Sequence, residues 1–352
     1  MAQVEQHRLL LPNVQCDASM QPPDQEDFSE IPDFERIDES TLNTALFFTV
    51  KPSELRILSV LGSGAHANVY KAEWTRSFAA GTSSIIVAVK QLLTDLGEVY
   101  RNRERLTMLT EHPNLVKCVD STLEPPYLII TEFLAGGSLF DFLYNSGQDL
   151  CLWQQVKILL DVAAGMKYLH EQKPCILHRD LKSSNVLLAK PLRSSSQEPF
   201  AKVADFGLSR VSATADAPQQ AMTVGVGTWR WMAPEVFASS DDDPEPYNLK
   251  ADVFSFGILM YEVLERQLPY SERFGNDVSD PRISIHVCMG LRPEVRSSSP
   301  EDNAEVREAL RKLMQRAWAN EPDDRPSFQE LEETLQSLWD TLGGPRGDDR
   351  RP

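Results

Sequence analysis

Long apolar runs are missing from this chain of 352 residues. No stretch reaches the roughly 18 to 20 consecutive apolar residues that a bilayer-crossing helix needs, so no membrane span is expected. Basic charge is scarce. The 35 lysines and arginines face 52 aspartates and glutamates, a formal net charge of −17, which argues against a nucleic-acid backbone as partner. Cysteine is sparse too. Cys16, Cys118, Cys151, Cys175 and Cys288 are odd in number, scattered and never spaced CxxC. That pattern argues against a zinc site and for a reducing compartment, so a cytoplasmic location is expected. The opening MAQVEQHRLLLPNVQ has no basic segment followed by an apolar one, and Gly does not follow Met1. Neither a secretion signal nor a myristoyl anchor is expected there. No internal repeat is visible.

What is present is ordinary folded composition, 41% apolar, in a length that suits one large domain or two lobes. The charge is uneven. Residues 1–53 hold ten acids and three bases, and QPPDQEDFSEIPDFERIDES is acidic, proline-containing and without period. This reads as a disordered arm, with phenylalanines that could dock on a regulator. GGPRGDDRRP, residues 343–352, reads as a flexible tail.

Between them, residues 54–342 read as folded. LRILSVLGSG, IIVAVKQLL and YLIITEF are short, β-branched and strand-like. Beyond residue 138 the period becomes helical. LWQQVKILLDVAAGMKYLH places Val156, Leu159, Leu160, Ala163, Met166 and Leu169 on one face. ADVFSFGILMYEVLERQ is apolar nearly all round, as a fully buried helix would be, and VREALRKLMQRAWA is amphipathic. A strand-rich front (54–133) and a helix-rich back (134–342) predict an α+β fold of two unequal lobes. Three polar inserts, 191–199, 239–246 and 271–282, read as surface loops.

Several stretches carry chemistry. LGSGAHANVY puts Gly62 and Gly64 after a strand, where main-chain N–H groups can cradle phosphate oxygens; a plain glycine hairpin has the same signature. VAVK ends a strand on Lys90, which is either solvated or reaches under that loop. The following segment opens with the helix-cap candidates Thr94 and Asp95 and offers Glu98 and Glu104 as carboxylate partners. In HRDLKSSNVLL, His178, Arg179, Asp180, Lys182 and Asn185 crowd into eight positions before an apolar run. ADFGLSR sets Asp205 before a glycine, either as a turn or as a hard oxygen ligand for Mg²⁺.

Each stretch alone has a bland alternative. Their order does not: glycine loop, VAVK, HRDLKxxN, DFG, then Ala233–Glu235 as APE. Over residues 54–342 the chain resembles a eukaryotic protein kinase catalytic domain, with a small β-rich lobe carrying one main helix and a larger helical lobe. The resemblance implies ATP and Mg²⁺ as cofactors and a protein hydroxyl as acceptor. It assigns Asp180 as the base that orients the hydroxyl, Lys182 to the transferred phosphate, and Asn185 and Asp205 to the metal. Lys90 would grip the α- and β-phosphates, steadied by Glu104. Leu61, Gly62, Ser63, Gly64, Val69 and Ala88 would cover the nucleotide, with Leu187 beneath it. Thr131 holds the gatekeeper position, and Glu132, Phe133 and Leu134 form the hinge to adenine. His178 is expected to pack inside the loop.

Lys182, two residues after the base, is typical of Ser/Thr kinases, while GTWRWMAPE, TEFLAGGSL and DVFSFGILMYEVL resemble the tyrosine-kinase-like group. The closest likeness is to Raf-like and mixed-lineage kinases, many of which act as MAP kinase kinase kinases. PDDRPSFQEL fits the same group, with Arg325 able to pair with Glu235. Two features depart from the pattern. Ala67 replaces the third loop glycine, with His66 at the tip, which implies slower nucleotide handling. Glu104 lies one residue nearer to HPNLV than is usual. Arg179 would receive an activating phosphate from residues 205–235, where Thr223 is favoured over Ser209, Ser212, Thr214 and Thr228. A pseudokinase scaffold and a dual-specificity or tyrosine kinase are the alternatives. Lys90, Asp180, Asn185 and Asp205 all being present speaks against the first, and Lys182 against the second.

Overall fold

A computed structural model describes residues 50–63, 67–78, 81–93, 110–122, 125–173, 175–205, 210–212, 229–238, 248–276, 281–296 and 303–343. The chain divides into two units, Met1–Leu46 and Phe47–Pro352, and all described residues belong to the second. The helix expected over 94–109, the insert 239–246, and Gly64, Glu104 and Thr223 lie outside the described residues.

The strand-like front forms an antiparallel five-stranded sheet. Its strands are β1 (Leu55–Ser63), β2 (Ala67–Phe78), β3 (Gly81–Leu92), β4 (Cys118–Ser121) and β5 (Leu128–Glu132), in the order β1-β2-β3-β5-β4. Side chains alternate faces along each strand, so register decides who meets whom. One face buries Ala72, Trp74, Val87, Val89, Leu128 and Ile130, joined by Val50 from the chain ahead of β1. Glu54 ties that segment down by accepting the Trp74 indole N–H at 3.0 Å. The other face carries Val69, Lys90 and Ile129 in one row and Lys71, Ala88 and Thr131 in the next.

The back is helical: α1 (Leu139–Asn145), α2 (Leu152–Glu171), α3 (Pro234–Ala238), α4 (Leu249–Glu265), α5 (Ser271–Phe274), α6 (Arg282–Cys288), α7 (Ala304–Ala317) and α8 (Phe328–Leu342). The predicted α2 stripe is buried at all six positions. In α4 every residue from Ala251 to Val263 is buried, as a helix apolar all round requires. Two of those residues are acids, Asp252 and Glu262. Ser327 and Glu330 form a reciprocal capping box at the start of α8. Short strand pairs complete the lobe: β6 (Cys175–Leu177) with β9 (Arg210–Ser212), and β7 (Val186–Leu188) with β8 (Ala201–Val203).

The insert 191–199 is a loop without helix or strand, pinned to α2 where the Gln154 amide donates to the carbonyls of Ser194 (3.0 Å) and Gln197 (2.8 Å). The stretch 271–282 corrects the reading of a plain surface loop. It opens with the helix α5, and Arg282 begins α6. Its polar composition hid two anchors: Phe274 packs edge-on against His286, and buried Arg230 donates to the Gly275 carbonyl at 2.8 Å.

Candidate active site

The two lobes are stitched where the segment before β4 meets β8. Val116 N–H donates to Val203 O (2.9 Å), and Val203 N–H donates to Asn114 O (2.8 Å). Between the lobes runs 132–134. Glu132 accepts from the Lys117 N–H (2.8 Å) and pairs with Lys202 of β8 at 2.6 Å. The Lys71 ammonium lies over the Phe133 ring, 4.5 Å from its centre, and Leu134 is buried. Just beyond, a Cβ on Gly136 would stand 2.4 Å from Leu188 O, so only glycine lets the chain lie against β7. The expected nucleotide-facing residues Val69, Ala88, Lys90 and Thr131 share one sheet face. Leu187 sits in β7, opposite Lys202, and Leu61, Gly62 and Ser63 end β1.

The loop 178–185 is held from within. His178 is wholly buried, as expected; one ring nitrogen lies 2.9 Å from the Ala204 carbonyl, and the other accepts the Asp180 N–H at 3.2 Å. Arg179 adopts a left-handed φ of 68°, an uncommon conformation for a residue with a side chain, and its N–H donates to Asp252 Oδ1 (2.8 Å). Asp252 Oδ2 accepts the His178 N–H (2.9 Å) and lies 2.9 Å from His170 Nε2. Burial works to raise the Asp252 carboxyl. The hydrogen bonds from His170 and the Arg179 N–H and the field of the neighbouring histidines outweigh it and hold the group below the usual carboxylate range.

These constraints present the expected site residues together. The Asp180 carboxylate receives Lys182 Nζ (2.7 Å) and Asn185 Nδ2 (2.9 Å), and the same amide also donates to Asp180 O (2.8 Å). Ala204 N–H donates to Asn185 O at 2.8 Å, which fixes Asp205 next to Asn185. Asp205, also left-handed at φ 61°, reaches across the lobes to Lys90 at 2.5 Å. The chain positions 90, 180, 182, 185 and 205 thus converge. Glu104, the expected partner of Lys90, and the phosphosite candidate Thr223 lie outside the described residues. Arg325 does pair with Glu235, through two bonds of 2.5 and 2.8 Å.

The donor set suits Mg²⁺. Asn185 spends its amide N–H groups on Asp180, which leaves its carbonyl oxygen as the group with lone pairs to offer, and Asp205 supplies a carboxylate. A hard ion held by one or two protein oxygens and completed by phosphate and water needs no more. Among the described residues no cluster of three or more His, Cys, Asp or Glu could hold a metal by itself.

Sequence reasoning passed over Asp252, Glu262, Ser183 and Lys202. A signal existed for the first two: acids inside a segment otherwise apolar on every side are buried and need partners.

Comparison with known proteins bears on the same region. A family profile described as "Protein tyrosine and serine/threonine kinase" matches residues 55–335. The chain is 32% identical over 312 residues to the "Probable serine/threonine-protein kinase roco7" of Dictyostelium discoideum, covering 86% of this chain and 11% of that protein. It is 33% identical over 303 residues to the "Serine/threonine-protein kinase VIK" of Arabidopsis thaliana, covering 83% and 62%. With the Arabidopsis "Serine/threonine-protein kinase STY46" it shares 32% over 285 residues, covering 80% and 44%. The chain therefore spans between a tenth and two thirds of the length of these relatives. Among the described residues no helix is long and apolar enough to cross a membrane.

Proposed function

This chain belongs to the protein tyrosine and serine/threonine kinase family, and from that premise we propose that it is a protein serine/threonine kinase. It moves the γ-phosphoryl group of ATP, with Mg²⁺, to serine or threonine hydroxyls of another protein. The observation that carries the reading is the Asp180 carboxylate steadied by Lys182 and Asn185, with Asp205 and Lys90 drawn together beside it. Lys182 and the names of the relatives favour serine and threonine over tyrosine.

Each residue has a defined job. Asp180 accepts the hydrogen bond of the acceptor hydroxyl and aims it in line. Lys182 stands beside it and offsets charge on the transferred group. Asn185 and Asp205 offer oxygens to the metal, and Lys90 directs its ammonium at the phosphates. Bound MgATP supplies the electrophilic phosphorus and a neutralising charge. Ala88, Val69, Thr131 and Leu187 wall the adenine, and 132–134 bind its edge. Among the described residues a Cβ on Gly62 would meet no atom within 4 Å, and its φ is not positive, so those residues do not demand glycine there. Close approach of a phosphate does.

Residues 54–342 form the catalytic unit in this reading, and 1–53 an acidic arm that engages a regulator. A phosphate on Thr223 would pair with Arg179 and order the segment between them. The protein would act in the cytoplasm on other kinases, as a MAP kinase kinase kinase does. A panel of kinase substrates tests that role, and label confined to non-kinase proteins refutes it.

The deciding experiment incubates the protein with labelled ATP, Mg²⁺ and generic protein substrates, beside Asp180→Asn, and identifies the labelled amino acid. Phosphoserine or phosphothreonine is expected, with kcat down about 10²–10⁴-fold in the variant. Phosphotyrosine alone overturns the acceptor assignment, and nucleotide binding without transfer overturns catalysis. Thr223→Ala should lose activity many-fold, and turnover equal to that of wild type removes Thr223 as the switch.

A further inference from the structure

The small-lobe sheet face opposite the row of Val69, Lys90 and Ile129 buries a carboxyl among apolar side chains. Asp120 of β4 is 3% exposed. Strands alternate their faces, so Asp120 should share the face of Cys118. It does not, because β4 is irregular there. Cys118 stands opposite Thr131 and Asp120 opposite Ile130, two steps along β4 against one along β5. Such a bulge re-aims a side chain, and this one turns Asp120 to the face of Ile130 and Val89. There the carboxylate accepts the Ser121 N–H at 2.7 Å and the N–H of Val50. Val50 lies outside the sheet, ahead of the short turn Pro52–Glu54 and of β1, and is itself buried. The far end of that turn is held as well. Glu54 accepts the Trp74 indole N–H at 3.0 Å. The Arg76 guanidinium lies 4.6 Å from the centre of the Trp74 ring and adds its positive field at Asp120. Residues 50–54, by which the chain enters the small lobe, are therefore pinned at two points, one of them on β4.

Burial pushes the Asp120 carboxyl up to about 6, against the pull of the two N–H groups and of Arg76, with Glu54 adding to the push. An apolar side chain would fill the face without that cost. The acid and the bulge together serve one end: they catch a main-chain N–H that lies outside the sheet. The strand chosen for the catch is next to the hinge. β5, the partner of β4, runs through Ile130 and Thr131 into Glu132, Phe133 and Leu134.

We propose that Asp120 is a latch that couples the entry segment 50–54 to the nucleotide edge of the small lobe. When Val50 is seated, its N–H satisfies the buried carboxylate and the bulged β4 is held against β5. When Val50 lifts away, the carboxylate loses a donor and the β4–β5 pair loosens beside Thr131. A partner that grips the chain ahead of Val50 thus reaches the nucleotide through Asp120 without entering the cleft. The nucleotide half of the proposal rests on the kinase reading above. Coupling of this kind is reciprocal: if the closed latch favours nucleotide, nucleotide holds the latch closed by the same factor.

The test uses the full chain as wild type, Asp120→Val and Asp120→Asn. Thermal melting sets the folded fraction. Hydrogen exchange is read by mass spectrometry over 50–58, over 118–132 and, as a reference in the large lobe, over 249–265. Binding of a fluorescent MgATP analogue is measured alongside. In Asp120→Val, exchange over 50–58 and 118–132 should quicken together by about 5- to 50-fold, with 249–265 unchanged and nucleotide affinity down about fivefold or more. Asparagine keeps an oxygen to accept the Val50 N–H, so Asp120→Asn should stay within about threefold of wild type in both readouts. In wild type, saturating MgATP should slow exchange over 50–58 by about the factor that Asp120→Val costs in affinity, and in Asp120→Val it should leave 50–58 unaltered. Should Asp120→Val not fold, the effect of MgATP on 50–58 in wild type carries the test. Exchange that quickens over 50–58 alone, exchange unchanged in both segments, or a wild-type 50–58 indifferent to bound MgATP each overturn the proposal. A wild type that binds no MgATP sinks the kinase reading and the coupling to nucleotide with it. Wild type and Asp120→Val that bind MgATP equally sink this proposal alone.

Discussion

Replacing Arg325 by alanine removes a side chain with five hydrogen bonds in the large lobe. Its guanidinium is fully buried and donates twice to the Glu235 carboxylate, at 2.5 and 2.8 Å. It donates three more times, to the carbonyls of Ala319 (2.9 Å), Lys250 (2.9 Å) and Asn320 (3.0 Å), and lies 5.1 Å from the centre of the Phe254 ring. Alanine leaves the Glu235 carboxylate, itself only 11% exposed, charged and without its partner. Breaking one side of such a pair costs about 3–5 kcal/mol. A domain of this size holds only about 5–15 kcal/mol in total, so the loss is a large share of it. At about 2 °C per kcal/mol, the melting temperature should fall by roughly 6–10 °C. Lysine at 325 keeps the charge but cannot fork across two oxygens and three carbonyls, so it should recover less than half of the loss. The assay is thermal and urea unfolding of wild type, Arg325→Ala, Arg325→Lys and the Arg325→Met/Glu235→Leu pair. If an uncompensated buried charge is the cause, the pair should be more stable than Arg325→Ala. A loss under about 1 kcal/mol in Arg325→Ala, or a pair less stable than that single variant, would refute the reasoning.

Other expectations follow from the same contacts. Burial pushes the Glu262 carboxyl up from 4.5 to about 7, against its hydrogen bonds from Ser183, Trp231 and Tyr144. The native state therefore holds this proton more tightly than the unfolded chain does. The resulting stabilisation is complete below pH 4.5 and is lost as pH rises through about 7, on the order of 3 kcal/mol in all. Glu262→Gln has no proton to lose, so the stability difference between it and wild type should change between pH 5 and pH 8; parallel urea midpoints across that range refute the assignment. Gly136→Ala would drive a Cβ to 2.4 Å from Leu188 O and 2.5 Å from Lys190 O, both backbone atoms. It should cost about 1–3 kcal/mol and weaken nucleotide binding by displacing the adjoining hinge; an unchanged melting curve shows that the strand can yield.

The candidate site was largely legible in the chain because the residues proposed for it are set by local spacing. Asp180, Lys182 and Asn185 fall within six positions of one loop, and a loop that short cannot scatter them. The strands and the buried helices were legible for a related reason: β-branched runs are short and local, α2 shows an apolar face of period 3.6, and α4 is apolar nearly all round. The stretch 271–282 was misread because its anchors, Phe274 on His286 and Arg230 on Gly275, are partners distant in sequence. Composition sees polarity and turn residues and does not see who waits across the gap.

The sequence by itself determined the strand-like segments of the front, the all-round apolar α4, the candidate reactive loop and the family resemblance, since each is a pattern among near neighbours. Only the tertiary structure decided that Lys90 meets Asp205 across 115 positions, that Asp252 catches the loop backbone 73 and 74 positions before it, and that Ser183, Trp231 and Tyr144 share one buried carboxyl. The physical reason is that a charge or hydrogen-bond donor acts through space over a few ångströms. Which distant segments come that close is settled by the packing of the whole core, and no local period encodes it.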